Sequence, residues 1–356
     1  MLPNMAVESV HGRGAAINPP NRFVPLEVCP DPDAPLEEAS APTTQFFHDN
    51  ARVAIATNDS PDIGFEASLN PYRGCEHGCI YCYARPFHEF LGFSAGLDFE
   101  TKIMVKTDMP TLLRRELESP AWRPKTISIS GVTDAYQPVE RRMQITRACL
   151  EILAEFRNPV GIVTKNALVR RDADLLADLA SHKASAVCVS ITTLNNDLAA
   201  KMEPRASSPR ARLEAIRALT DAGVPTGVMM APIIPGLTDH EINDVLVAAA
   251  DAGATFAAYT IVRLPLAVAD LFQDWLDRHF PQRKEKILNR IRELRGGKLN
   301  ESEFGKRFAA QGIWDEQIRS LFDLACRRAE LSGSFPRLSM ADFCRPRGSA
   351  GQLSLF

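Results

Sequence analysis

Three cysteines, Cys75, Cys79 and Cys82, fall within eight residues in the spacing Cys-x3-Cys-x2-Cys. They lie in Asn70-Pro71-Tyr72-Arg73-Gly74-Cys75-Glu76-His77-Gly78-Cys79-Ile80-Tyr81-Cys82-Tyr83-Ala84. Gly74 and Gly78 permit backbone turns tight enough for three thiolates to converge. A soft, thiolate-rich site of this kind selects an iron–sulfur cluster or zinc. A cubane [4Fe–4S] cluster is usually held by four thiolates, so three close ligands leave one iron open to a substrate or cofactor. The alternative is a structural zinc site of Cys75, Cys79, Cys82 and His77, which requires His77 to fold back beside its neighbours.

The elements that must carry this loop follow from apolar periodicity. Phe65, Ala67 and Leu69 alternate with Glu66, Ser68 and Asn70, which predicts a first strand running into the cysteines. Asp108 and Pro110, followed by Leu112, Leu113 and Leu117, predict a capped helix. Further strands are expected at 126–130, 159–164, 186–192, 226–231 and 255–262, and helices at 143–157, 172–182, 208–222 and 239–252. Strands alternating with helices through short turns predict an α/β fold with a parallel sheet. Six such strands fit a partial (β/α)6 TIM-type barrel with chemistry at the carboxyl ends of the strands. An open doubly wound sheet is the alternative, although no Gly-x-Gly-x-x-Gly follows the first strand. From Leu266 the pattern is helical only (266–279, 281–295, 301–309, 315–331), a C-terminal helical extension. The expected plan is a Pro-rich disordered arm at 1–44, the barrel at 45–265, the extension at 266–340 and a flexible tail at 341–356.

Composition bounds the setting. The 356 residues are 45% hydrophobic and 24% charged, the balance of an ordinary globular protein. A net charge of −3 provides no global attraction to nucleic acid, so such binding needs a local patch. One candidate is 283–298, where Arg283, Lys284, Lys286, Arg290, Arg292, Arg295 and Lys298 face Glu285 and Glu293, and Ile287, Ile291 and Leu294 make a core-facing stripe. His11-Gly12-Arg13-Gly14 can also contact phosphate, with a solvated tail as the favoured reading. No signal peptide is expected, and the apolar stretch 245–262 is broken by Asp251 and Gly253 and reads as helix, turn and strand, with no membrane span. Eight cysteines in this length do not form a secreted disulfide framework, so a reducing, cytoplasmic setting is expected. Cys29, Cys149, Cys188, Cys326 and Cys344 are scattered without ligand spacing, so no second cluster is expected.

The cysteine loop resembles that of the radical S-adenosylmethionine (radical SAM) enzymes, in which an aromatic, here Tyr81, precedes the last cysteine. The resemblance covers about residues 45–330 and implies two cofactors, a [4Fe–4S] cluster on Cys75, Cys79 and Cys82, and SAM chelated at the open iron. It implies one-electron cleavage of SAM to a 5′-deoxyadenosyl radical, with a reductase such as flavodoxin or ferredoxin as electron donor. Ser130-Gly131-Val132-Thr133-Asp134 stands where the family's glycine-rich motif contacts the SAM amino group. The usual Gly-Gly-Glu is absent, and Gly131 to Pro138 is similar to the spore photoproduct lyase-like (DNA repair photolyase-like) branch. By the same resemblance Ser130, Gly131, Thr133 and Asp134 lie near SAM, and Lys165 ends the third strand ready to pair with a carboxylate. Ser190 and Thr192 offer hydroxyls to the ribose, and Glu203, Arg205 and Arg212 match the branch's Glu-Pro…Arg element, with Arg212 able to grip the SAM carboxylate. Ala231-Pro232-Ile233-Ile234-Pro235-Gly236-Leu237, with Ile234 and Gly236, resembles the loop that sandwiches adenine.

The branch implies hydrogen abstraction from a nucleic-acid component, in a DNA repair-like role, with RNA or a small molecule as the alternative substrate and a non-catalytic Fe–S protein as the alternative class. A lyase of that kind needs a hydrogen-atom donor. Cys188 shares the Ser190/Thr192 face and is the candidate, against the reading of a small buried hydrophobe. Cys149 and Cys326 fall on apolar helix faces and read as core. The ending Gln352-Leu353-Ser354-Leu355-Phe356, after the tether Arg345 to Gly351, resembles the peptide by which bacterial DNA-metabolism proteins dock on the replicative sliding clamp. A terminal segment packing Leu355 and Phe356 on its own domain is the alternative.

Overall fold

The structure, a computed structural model, describes residues 10–24 and 42–346. Cys29 and the terminal residues Gln352, Leu353, Leu355 and Phe356 lie outside the described residues. The strands are β1 (Gln45–His48), β2 (Ile55–Thr57), β3 (Ala67–Leu69), β4 (Tyr72–Arg73), β5 (Lys102–Val105), β6 (Ile127–Ile129), β7 (Val160–Thr164), β8 (Ser185–Ser190), β9 (Thr226–Ile233) and β10 (Phe256–Ile261).

The larger sheet runs β2-β3-β6-β7-β8-β9-β10. β3 and the five strands after it in this order are parallel, as expected, and β2 adds antiparallel to β3. Among the described residues β2 and β10 do not pair, so the barrel is open on one side. Its strands read as near-continuous apolar runs because both faces are covered. Ile127, Ile162, Val187, Val189 and Val228 are fully buried in the main core. Helices Met109–Glu118, Ile145–Glu155, Ala173–Ser181, Pro209–Asp221 and Ile242–Asp251 bring buried residues to that core. Each such Ile or Leu contributes about 2 kcal/mol by leaving water. Ser208 caps the fourth of these helices through Ala211 N, with Pro209 at its first position.

The inner face is packed at the amino ends of the strands. A Cβ on Gly227 would stand 2.3 Å from the Phe256 ring, so glycine there makes room for that phenyl. Phe256 meets the Phe335 ring at 5.1 Å between centroids, and Phe335 in turn lies against Gly161. Phe335 belongs to a segment that crosses beneath the strands: Ser332 bridges Phe256, Ser339 N donates to Lys183 O, Cys344 N to Phe156 O, and Arg345 to the carbonyls of Leu117, Ser119 and Trp122.

Three features depart from expectation. The helix expected at 301–309 is a run of turns, because Glu301 caps the N–H groups of Ser302 and Glu303 and Gly305 takes φ +80°. The stretch 10–24, expected to be a disordered arm and a solvated tail, is placed against the body, with Ala15 and Ala16 buried. Its Arg13 donates to Glu100 O and Pro42 O, which explains why a glycine-flanked arginine there is not merely solvated. A second sheet, β1-β5-β4, was not foreseen, since its strands are only two to four residues long. Among the described residues no helix is long and apolar enough to cross a membrane.

Candidate active site

The cysteine loop leaves the carboxyl end of β3 and is held from three sides. β4, inside it, pairs with β5, and Cys75 N donates to Phe99 O at 2.9 Å. Gly74 and Gly78 take φ +77° and +68°, and a Cβ on Gly78 would stand 2.6 Å from a Glu100 oxygen. The carbonyls of Cys79 and Gly78 accept from Arg85 at 3.0 and 3.2 Å. Arg85 and Glu100 are both fully buried and 2.5 Å apart. Glu100 also accepts from Gly14 N and Ala15 N, so the N-terminal stretch is pinned to the back of the loop. On the other side the Gln137 amide bonds both Gly74 O and Glu76 N.

Cys75 and Cys79 are buried and Cys82 is half-buried. Burial raises all three thiols; in Cys75, Asp134 and the other two thiols add to it. Among the described residues no three His, Cys, Asp or Glu side chains converge closely enough to hold a single ion. His77, the fourth ligand of the zinc alternative, is committed elsewhere. Its Nδ1 lies 3.4 Å from Asp134 and its Nε2 3.0 Å from the Asn166 amide. Three thiols on one glycine-turned loop, with His77 committed to Asp134 and Asn166, fit a cubane, in which each sulfur meets a different iron.

Beside the thiols the strand ends carry a compact polar network. The Lys165 ammonium lies 2.7 Å from the Ser190 hydroxyl, 2.8 Å from Ala231 O, and 3.3 Å from both Thr192 Oγ1 and a Glu203 oxygen. Tyr81 donates its hydroxyl to Glu203, and Arg212 pairs with the other oxygen of the same carboxylate. Burial would raise the Glu203 carboxyl, but Arg212 and Lys165 overcome it and hold the group well below the usual carboxylate range. Burial and Glu203 push the Tyr81 phenol up, so it remains a donor. Arg212 spends its remaining nitrogens on Ser207 O and Ser190 O and is almost completely buried. It therefore holds Glu203 and the end of β8, and is not free to grip a ligand carboxylate as expected. Lys165 retains some exposure.

The Ser130 to Asp134 turn is likewise built from its own bonds. Ser130 sits at φ +73°, unusual for a residue with a Cβ, and its hydroxyl accepts from Ala135 N. Thr133 is buried on Tyr72 O, and Asp134 accepts from Thr164 Oγ1 and Lys165 N. Gly131 O receives the Tyr83 hydroxyl at 2.8 Å. Ile234 is buried in the cluster that includes Cys79, Ile80 and Tyr81. Gly236 instead faces the helix Lys284–Leu294, with Arg290 at 3.2 Å from the position of a Cβ, so it turns away from the thiols. It lines a separate cavity of about 460 Å³ on the outer wall, between Arg283, Lys286, Arg290 and Trp314. Cys188 faces inward one step below Ser190 but lies wholly buried among Ala186, Phe256, Val163, Met229 and Leu338, where burial pushes its thiol up to about 12.

The sequence that carries this loop, and the fold around it, are similar to those of known proteins. The radical SAM superfamily model aligns with residues 69–249. The chain belongs to the radical SAM superfamily. An uncharacterised protein of Mycobacterium tuberculosis is 38% identical over 234 residues, 65% of this chain and 68% of that one. An uncharacterised protein of Methanocaldococcus jannaschii is 28% identical over 227 residues, 64% of this chain and 81% of that one. In fold, the chain is similar to spore photoproduct lyase complexed with dinucleoside spore photoproduct, with a TM-score of 0.58 and 14% identity over 82% of each chain.

The cofactors of this radical SAM protein are a [4Fe–4S] cluster and SAM. Sequence reasoning missed the residues that brace the cluster loop: Arg85, Glu100, Gln137 and the Gly14–Ala15 amides. Arg85 stands three residues past Cys82 and offered a cue, since a cation beside an apolar loop must find a carboxylate when buried. The 85-residue separation of Ala15 from Glu100 offered none.

Proposed function

We propose that this chain cleaves SAM reductively and directs the resulting radical at a nucleic-acid component. The observation that carries the reading is the Cys75/Cys79/Cys82 loop beside the Lys165–Ser190–Thr192–Glu203–Tyr81 network at the carboxyl ends of the strands. Cys75, Cys79 and Cys82 would hold the cluster. When bound, the reduced cluster supplies one electron to SAM, whose scission yields a 5′-deoxyadenosyl radical. Lys165 would meet the SAM carboxylate, with Glu203 and Arg212 fixing its position. Ser190 and Thr192 would present their hydroxyls to the ribose, the Ser130, Gly131, Thr133 and Asp134 turn would flank the amino group, and Ile234 would back the adenine. A substrate would enter over the half-buried residues Ser128, Ala258 and Thr260, while Phe256 and Phe335 pack together below.

The likeness in fold to a lyase bound to a dinucleoside photoproduct supports a nucleic-acid substrate. In the same reading a flavodoxin- or ferredoxin-like reductase supplies the electron in a reducing, cytoplasmic setting. Gln352, Leu353, Leu355 and Phe356 would dock on the sliding clamp, tethered from Arg345. Anaerobic reconstitution, reduction and assay of 5′-deoxyadenosine test the chemistry. Product that disappears in Cys79→Ala is the expected result; stoichiometric zinc with no deoxyadenosine would overturn it.

A further inference from the structure

Outside the polar network, a column of alternating rings and guanidinium groups climbs away from the cysteine loop. The Arg263 guanidinium lies 4.9 Å from the centroid of the Tyr83 ring and 4.5 Å from that of Phe308. The Arg307 guanidinium lies 5.4 Å from the Phe308 centroid and 4.8 Å from that of Phe304. Tyr83 follows the cluster ligand Cys82 directly, and Arg263 follows the carboxyl end of β10, so the column starts at the barrel mouth.

Its outer half is anchored. Arg307 pairs with Asp62 at 2.7 Å, and Gly305 N donates to the same aspartate. Arg295, almost fully buried, bonds the carbonyls of Arg307 and Ala309 with one nitrogen and those of Ile261 and Val262 with the other. The turns at 301–309 are thus tied to both edges of the open barrel, to β10 through Arg295 and to the loop after β2 through Asp62. Arg263 is different. It has no hydrogen-bond acceptor and no ion-pair partner among the described residues, and its guanidinium lies over both the Tyr83 and the Phe308 rings. Phe304 is 63% exposed, a ring presented to solvent at the outer end.

A guanidinium held over two rings and lacking an acceptor is suited to a phosphate, and an exposed ring near it to an unstacked base. We propose that Tyr83, Arg263, Phe304, Arg307 and Phe308 form a receptor for a single-stranded stretch of nucleic acid, with Arg263 on a phosphate and Phe304 under a base, feeding an extruded nucleotide into the barrel mouth. This rests on the nucleic-acid reading above and adds where and in what form the strand is held. A duplex keeps its bases stacked and cannot use Phe304 in this way.

The test is fluorescence anisotropy of the reconstituted holoenzyme with a labelled oligothymidylate of about twelve nucleotides, within the usual range of such sites, and with the matching duplex. The wild type is expected to bind the single strand more tightly than the duplex. Phe304→Ala and Arg263→Gln should each weaken single-strand binding about tenfold, and Arg263→Gln should lower the slope of log affinity against log salt by about one. Circular dichroism melts establish that both variants fold. Wild-type binding of the single strand that neither variant weakens, or preference for the duplex, overturns the receptor and leaves the nucleic-acid reading standing. Failure of the wild type to bind either probe overturns both.

Discussion

The Lys165 ammonium lies 3.3 Å from the Glu203 carboxylate, and through it the end of β7 is tied to the carboxyl end of the short helix Asn196–Met202. Because Arg212 and Tyr81 close on the same carboxylate, Glu203 is the buried anion that keeps two cations and a phenol in place. Glu203→Gln leaves the Arg212 charge buried without its counter-ion. An equilibrium unfolding titration should show a loss of about 3 kcal/mol. The folded-state carboxyl is held below its ordinary value of 4.5, so its contribution is present at neutral pH and is lost as pH falls below that value. The variant should therefore have a flatter acid limb in its stability profile; equal limbs would show that Glu203 is not the anion the fold depends on.

Arg85 satisfies two carbonyls of the cluster loop from a fully buried position beside Glu100. Arg85→Met strands that carboxylate and releases the loop. A destabilisation of about 3–5 kcal/mol is expected, together with loss of bound iron after desalting. Retention of a full iron complement would remove the loop-bracing role.

Gly14 and Gly78 approach backbone to backbone. A Cβ on Gly14 would stand 1.8 Å from Gly78 O, a contact that only movement of the N-terminal stretch can relieve. Gly14→Ala should lift residues 10–17 from the loop. The readout is the half-life of the cluster absorbance in air, which should fall severalfold while the barrel's far-ultraviolet circular dichroism stays unchanged. An unaltered half-life would mean that this stretch does not shield the loop.

His88 is buried against Phe93 and Phe99, and burial lowers it to about 4. The unfolded chain protonates it near 6.5, so between those values the unfolded state holds the extra proton and stability falls as pH drops. The slope is about 1.4 kcal/mol for each pH unit. His88→Gln should lose that slope between pH 6.5 and 4; identical profiles would sink the assignment.

Cys188 sits in the packed layer below the open interior, so it is expected to be dispensable for hydrogen-atom return. Cys188→Ala should quench the substrate radical to closed-shell product in the wild-type ratio to 5′-deoxyadenosine, with a melting temperature lowered by a few degrees from the deleted sulfur. Loss of turnover by a normally folded Cys188→Ala protein would restore it as the donor.

The barrel strands and the loop shared by Cys75, Cys79 and Cys82 were legible because each rests on local pattern: periodicity for the strands, spacing for the three cysteines. The turns at 301–309 misled because Phe304 and Phe308 sit at helical spacing yet stack on Arg307 and Arg263, contacts that no local rule encodes. The role of Arg212 was misjudged for a similar reason. Its match to a motif was visible, but the internal acceptors Ser190 O and Ser207 O are set by the fold. Gly236 carried the right loop motif and the wrong direction, since its turn faces a helix from the far end of the chain.

The segment carrying Phe335 and Arg345 crosses beneath strands that were all synthesised before it. On the ribosome, where domains fold as they emerge, the six parallel strands can assemble while the underside of the barrel still lacks Phe335. Closure of the barrel from below then waits for Phe335 and the residues around it. A truncation made to test the proposed clamp docking of Gln352 to Phe356 must therefore end after Pro346, or it will also produce a barrel without its floor.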